Sequence, residues 1–222
     1  MRRRIAVLLT VVAFVLIACI AAGPTVLRGS AHWLTIDEDA PGATVVILIG
    51  GDAQFERTAD LWRRSAIKRV ILFQAYPSRV RRMGIVLTGE ERARRRLLAL
   101  GVPEDAIEVE PCGWLTYSQF LRCLSQWLEQ HPSDDAIVLC EALRSQTLSL
   151  ERSRVAPPSE AARIHLVGLP DREFDPSDWW CHRNQVKMVF NGCVELLITW
   201  CFGELSADPD TWDPDEYERS LP

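Results

Sequence analysis

Thr44-Val45-Val46-Ile47-Leu48-Ile49-Gly50-Gly51-Asp52 is the stretch that decides the fold. Its first six residues are almost all β-branched and show no polar alternation. A half-exposed strand alternates with a period of two, so this run reads as a strand buried on both faces, the habit of a parallel sheet covered by helices. After the glycine pair, Phe55, Ala59, Trp62 and Ala66 recur at helical spacing, with Glu56, Arg57, Asp60 and Arg63 on the other side.

The same rhythm continues outward. Residues 69–73 read as a second strand, followed by a loop over 74–87 of a length that is often functional. Thr88 and Glu91 form a capping box that opens a helix with Ala93, Leu97 and Leu100 on one face; Gly101 and Pro103 end it. Residues 106–109 read as a third strand, and Tyr117, Phe120, Leu121, Leu124 and Leu128 mark a helix. Residues 136–140 give a fourth strand, 143–155 a helix stopped by Pro157-Pro158, 164–167 a fifth strand and 185–202 a last apolar helix. Strict alternation predicts an α/β fold, a Rossmann-like three-layer sandwich with a mainly parallel sheet of about five strands. Ligands of such sheets sit beyond the carboxyl ends of the strands.

The chain has 222 residues, 48% of them apolar and 25% charged, which excludes overall disorder, collagen and a polytopic membrane protein. Its net charge of −5 is concentrated in residues 204–222, which hold seven acids and one base and read as a flexible acidic tail. The remainder is close to neutral, so nucleic acid is not an expected partner. Four segments follow: an anchor over 1–23, a linker over 24–43, the α/β domain over 44–203 and the tail.

Arg2, Arg3 and Arg4 precede an apolar run over 5–22 broken only by Thr10, and Gly23-Pro24 stop it. The run is long enough for one transmembrane helix, and the positive-inside rule leaves the arginines in the cytoplasm and the rest outside. An uncleaved signal-anchor in the plasma (inner) membrane is the favoured reading. A cleaved signal peptide and a lipoprotein acylated at Cys19, within Leu16-Ile17-Ala18-Cys19, are the alternatives. An exported domain places Cys112, Cys123, Cys140, Cys181, Cys193 and Cys201 in an oxidising space where they can pair, although their apolar surroundings favour buried thiols.

No phosphate-loop, dinucleotide, nucleophile-elbow or metalloprotease motif is present, His32, His131, His165 and His182 show no metal spacing, and no cofactor is indicated. His165 falls in a strand and reads as a core or edge residue. Gly50 and Gly51 allow backbone N–H groups to approach an anion at a helix start, while Asp52 serves equally as the helix N-cap. Arg57 reaches toward the same end, or pairs with Asp60 at the surface. Between Arg63 and Arg96 stand eleven bases and two acids, a solvated face or an attractor of anionic head groups. Lys187, Asn191, Glu195 and Thr199 fall every fourth residue on the last helix, as its wet face or the lining of a cleft.

Gly50-Gly51, Arg57, Ala59, Leu61-Trp62, Glu90 or Glu91, Leu100-Gly101-Val102-Pro103 and Thr116, in that order, resemble the YdcF/SanA/ElyC-like envelope proteins, of which this chain looks like a divergent member. Residues 174–180, with Lys187 and Glu195 after them, resemble the end of that domain, so the likeness spans about residues 44–203. It implies a Rossmann-like sheet behind a membrane anchor and a role in envelope precursor or lipid-carrier metabolism. The family's polar site maps to Gly50, Gly51, Arg57, Glu90 or Glu91, and Thr116. Two departures stand out. The second strand ends Phe73-Gln74-Ala75 where the family has Ser-Gly. After the fourth strand the family's His and Arg positions are Leu143 and Gln146, with Arg144 the substitute for the arginine.

Two functions are expected from these readings. One is handling of a phosphate-bearing envelope precursor, with Gly50, Gly51, Asp52, Arg57, Thr116, Arg144, Lys187 and Glu195 binding and Glu90 or Glu91 as the candidate base. The other is a catalytically inactive binding or assembly module of the same fold. A cytoplasm-facing domain with a nucleotide-like ligand is a less favoured third. Membrane lipid is the expected partner of the amino-terminal helix.

Overall fold

The computed structural model describes residues 25, 27–38, 40, 42–47, 51–76, 87–114, 116–170, 174–175 and 177–203. The apolar run 5–22, Gly50, most of the loop 74–87 and the acidic tail lie outside them. The described elements run α1 (residues 27–33), β1 (Ala43–Ile47), α2 (Asp52–Arg63), β2 (Ile67–Ala75), α3 (Gly89–Ala99), β3 (Ile107–Trp114), α4 (Tyr117–Gln130), β4 (Ala136–Glu141), α5 (Ser145–Val155), α6 (Pro158–Ala161), β5 (Ile164–Leu169) and α7 (Arg183–Phe202). The strands form one five-stranded sheet in the order β3-β2-β1-β4-β5, and every pair is parallel.

Alternate residues of the central strands feed the two faces. Val45, Val70, Leu72, Ile137 and Leu139 meet Phe55 and Ala59 of α2 and Ala93 and Leu97 of α3. Val46, Ile71, Phe73, Val138 and Cys140 meet Phe120, Leu121, Leu124 and Leu128 of α4 and Leu148 of α5. Both faces of β1 are therefore dry, which is why its sequence lacks alternation. Residues 104–106 form a 3₁₀ turn before β3, and Gly101, with a φ of 90°, turns the chain out of α3 in a conformation that favours glycine.

β2 and β3 run well beyond what the sequence indicates, and β4 and β5 by one and two residues. β2 takes in Gln74 and Ala75, and β3 continues through Pro111, Cys112 and Gly113. Proline lacks the N–H that a central strand needs, but β3 lies at the sheet edge, where that loss is tolerated. The stretch expected to be a linker is packed over residues 27–38. Leu27, Ala31 and Leu34 join Leu143, Phe174, Trp179 and Val189 in a third cluster. Asp37 then bridges Val167 in antiparallel sense, and the Gly168 N–H donates to the Ile36 carbonyl at 2.7 Å, so the free edge of β5 is covered.

The expectation of mostly buried thiols is corrected. Cys112 and Cys123 form a disulfide joining β3 to α4, and among the described free cysteines Cys140 is buried while Cys181, Cys193 and Cys201 are exposed. Burial pushes the Cys140 thiol up to about 12, which leaves it inert. The α7 cysteines are exposed because the apolar residues around them face outward. Among the described residues no helix is long and apolar enough to cross a membrane.

One ion pair ties the amino-terminal segment to the sheet. Arg152 of α5 donates to Glu38 at 2.8 and 3.1 Å and also to the Ile164 carbonyl, and Glu38 accepts from the Leu166 N–H at 2.7 Å. Burial disfavours the Glu38 carboxylate, but Arg152 and the Leu166 N–H outweigh it and hold its pKa below the ordinary value. A depressed pKa contributes stability above the unfolded-state value that is lost as pH falls through the folded one. Glu38→Gln is expected to cost about 1–2 kcal/mol in urea unfolding at neutral pH, with the difference from wild type shrinking below about pH 4. Reduction of Cys112–Cys123, whose cysteines are separated by 11 positions in sequence, is expected to cost about 2–3 kcal/mol in the same assay.

Candidate functional site

The order β3-β2-β1-β4-β5 reverses direction between β1 and β4, and the chain leaves these two neighbours toward opposite faces. Such a switch point opens a crevice beyond the strand ends. A cavity of about 410 Å³ lies there. Its floor is Gly51 to Gln54 after β1, its walls are Glu141 to Arg144 after β4 and Leu169-Pro170 after β5, and α7 roofs it with Met188, Asn191, Gly192 and Glu195.

The turn after β4 and the roof helix are each held by specific contacts. Residues 142–144 form a 3₁₀ turn leading into α5. The Ser145 hydroxyl lies 2.7 Å from the Ala142 carbonyl and 3.1 Å from the Leu34 carbonyl, and accepts from the Ile36 N–H at 2.8 Å. α7 approaches the turn at Gly192, where an added Cβ would stand 3.1 Å from the Leu143 carbonyl oxygen. Its last turn is capped by Arg154, which donates to the Thr199 carbonyl and, at 2.8 Å, to the Trp200 carbonyl. A cation on those carbonyls also complements the helix dipole.

Arg144 dominates the electrostatics. It donates to the Tyr117 hydroxyl at 2.7 Å and faces Glu141 at 3.3 Å and Glu195 at 3.7 Å. Partial burial works against its charge, yet Tyr117, Glu141 and Glu195 together raise its pKa above the ordinary guanidinium value. Burial pushes the Tyr117 phenol up, and Arg144 offsets that only in part. Among the described residues the lining holds three carboxylates, Asp52, Glu141 and Glu195, and one guanidinium, Arg144. Gln54 is 3% exposed, and its buried Oε1 has no hydrogen-bond partner among the described residues. A buried acceptor left unpaired costs about 1–3 kcal/mol, which a donor on a bound molecule would recover.

The structure gathers Gly51, Asp52, Arg144 and Glu195 of the expected site at this cavity. Gly50 lies outside the described residues. Arg57 does not line the cavity; it borders a separate one of about 330 Å³ with Glu38, Leu61 and Ile137. Thr116 caps α4, its hydroxyl accepting from the Gln119 N–H at 3.3 Å. Glu91 caps α3, accepting from the Thr88 N–H at 2.9 Å, and Glu90 is buried in that helix's first turn. Lys187 is exposed on α7, away from the cavity. Asp52 is not the N-cap of α2. That position is Gly51, without a side-chain cap, and Asp52 pairs with Arg96 at 3.5 Å. On α7 the polar stripe divides: Asn191 and Glu195 line the cavity, Thr199 is buried and Lys187 is exposed.

Gln54, Glu141 and Tyr117 were not legible as site residues. Gln54 and Glu141 follow β1 and β4, the strands that flank the switch point, but which strands are neighbours is not written in their order along the chain. No group of three His, Cys, Asp or Glu side chains among the described residues is arranged to hold a metal ion. His165 is half-buried in the edge strand β5.

Gly192→Leu is expected to press α7 off the turn at Leu143, lowering stability by about 1–3 kcal/mol in urea unfolding and increasing hydrogen exchange across residues 188–195. Comparison with family models, with curated proteins and with solved structures returns no match in any of the three.

Proposed function

We propose that this chain is a single-pass envelope protein whose exported α/β domain is a binding module for a phosphate-bearing, hydroxyl-rich envelope precursor held in the switch-point cavity. The observation that carries the reading is Gln54. Its buried carbonyl oxygen, without a partner among the described residues, belongs to the first turn of α2, and Gln54 lines the cavity together with Arg144, Glu141 and Glu195. Backbone N–H groups at a helix start and a guanidinium favour an anionic group at the β1 and β4 ends. Gln54 and the carboxylates accept from hydroxyl donors, as a sugar would present. The carboxylates of Asp52, Glu141 and Glu195 disfavour a wholly anionic ligand and favour one with a single charged end.

Binding is favoured over catalysis by placement. Glu90 and Glu91, the expected general bases, do not line the cavity, and Arg144 is already engaged by two carboxylates and a phenol. Export is supported by the three arginines before the apolar run 5–22 and by the Cys112–Cys123 disulfide, a bond that persists in oxidising compartments. Anchoring in the plasma membrane through that run completes the reading, and the resemblance to YdcF/SanA/ElyC-like envelope proteins agrees with it.

The test is a thermal shift on the full-length protein in detergent micelles, with inorganic phosphate, a hexose 1-phosphate and a polyprenyl phosphate as probes. A hexose 1-phosphate or polyprenyl phosphate is expected to raise Tm by about 5 °C at a hundredfold excess over Kd. Gln54→Leu and Arg144→Ala are expected to abolish the shift, and Arg57→Ala, outside the cavity, to preserve it. A shift that survives both cavity substitutions, or no shift with any probe, overturns the proposal.

A further inference from the structure

α7 is inverted relative to an ordinary surface helix. Its polar residues Asn191 and Glu195 face the cavity, while a row of large apolar side chains faces out. Val186, Phe190, Cys193, Leu197 and Trp200 follow one another at steps of three and four residues, so they lie on one stripe. Phe190 is 65% exposed, Leu197 57% and Trp200 66%, and Phe202 at the end of the helix is 76% exposed. Fourteen residues of helix separate the ends of the stripe, about 21 Å. Water-facing apolar surface of this length marks a docking site.

The occupant is indicated by where the rest of the chain begins. The residues beside the stripe on α7, Val189 and Leu196, pack with Leu27, Ala31 and Leu34 of the amino-terminal segment. The Trp179 indole N–H donates to the Leu27 carbonyl at 2.9 Å, and Arg28 donates to the Ser177 carbonyl at 3.2 Å. Leu27 is therefore fixed to the α7 module. Only five residue steps separate it from Ala22, the end of the apolar run, a span of at most about 17 Å. Trp33 of α1 is also 61% exposed, and Arg28, Arg183 and Lys187 stand exposed around the amino-terminal half of α7. Outward tryptophans with flanking cations are the composition of a membrane interface. α7 itself is not apolar enough to span a bilayer, so it would lie along the surface.

We infer that the exposed stripe of α7 docks into the outer interface of the bilayer that holds the anchor, laying the domain on the membrane through Phe190, Leu197 and Trp200. The inference rests on the anchored reading given above. It also sharpens the ligand class: since the opposite side of the same helix roofs the cavity, a head group carried by a lipid reaches the site without leaving the bilayer surface.

Cys193 lies within the stripe and serves as the probe. Full-length protein carrying Cys19→Ser, Cys181→Ser and Cys201→Ser is labelled at Cys193 with a polarity-sensitive fluorophore and reconstituted into phosphatidylcholine–phosphatidylglycerol vesicles. Emission is expected to shift to the blue and to be quenched by doxyl lipid but not by iodide. A label at Asp105→Cys, on the far edge of the sheet, is expected to show the reverse. Adding Phe190→Glu and Leu197→Glu should return the Cys193 label to water while the protein still resists carbonate extraction. If the protein resists carbonate yet Cys193 is quenched by iodide, or cross-links to Cys193 of a second copy, docking is overturned and the anchor stands. Release of the unsubstituted protein by carbonate overturns both.

Discussion

The pairing of β1 with β4, in register from Thr44 opposite Ala136 to Ile47 opposite Leu139, is the constraint on which the molecule depends. It puts two strands that are distant in sequence at the centre of the sheet, and both must be apolar on each face to sit there. From it follow the two helical layers, the divergence of the chain at the strand ends and the crevice between them. A polar substitution on either strand would not merely cost its own burial; it would also loosen the frame that aligns Gly51 with Arg144.

The layered α/β plan was legible because its signals are local. Uniform β-branched runs mark strands covered on both sides, and the capping box at Thr88 and Glu91 is formed as the sequence indicates. The end of β3 was hidden by Pro111 and Gly113, residues that argue against a strand unless its edge position is known. The disulfide was hidden for a similar reason, since Cys112 meets Cys123 only once α4 folds back on β3. The candidate site was legible in part. Gly51 and Asp52 follow directly from the end of β1, whereas Arg57, Thr116 and Glu91 belong to surroundings and caps that spacing alone does not separate from a cavity. On α7 the difficulty was of another kind. Both sides of that helix carry apolar residues, so periodicity reveals stripes without saying which of them is buried.

The cavity's charge balance shapes its chemistry more than any single residue. Among the described lining residues Arg144 is the guanidinium, and Glu141 and Glu195 are paired with it. Under the proposed binding role, a ligand's anionic group would compete with those partners, blunting affinity for free phosphate, while hydroxyl groups would find acceptors at Gln54 and the carboxylates. Selectivity of this kind arises from the mismatch between what is already paired and what is still unsatisfied.

The way residues 27–38 are fastened also determines how the molecule bears load. Tension arriving from the amino-terminal side meets Leu27 and Arg28, held by Trp179 and Ser177, before it meets the Ser145 hydroxyl and then the Glu38–Arg152 pair. These fastenings act in series ahead of the hydrogen bonds of the sheet. Load arriving along this segment would open these peripheral contacts first, while the strands keep their register.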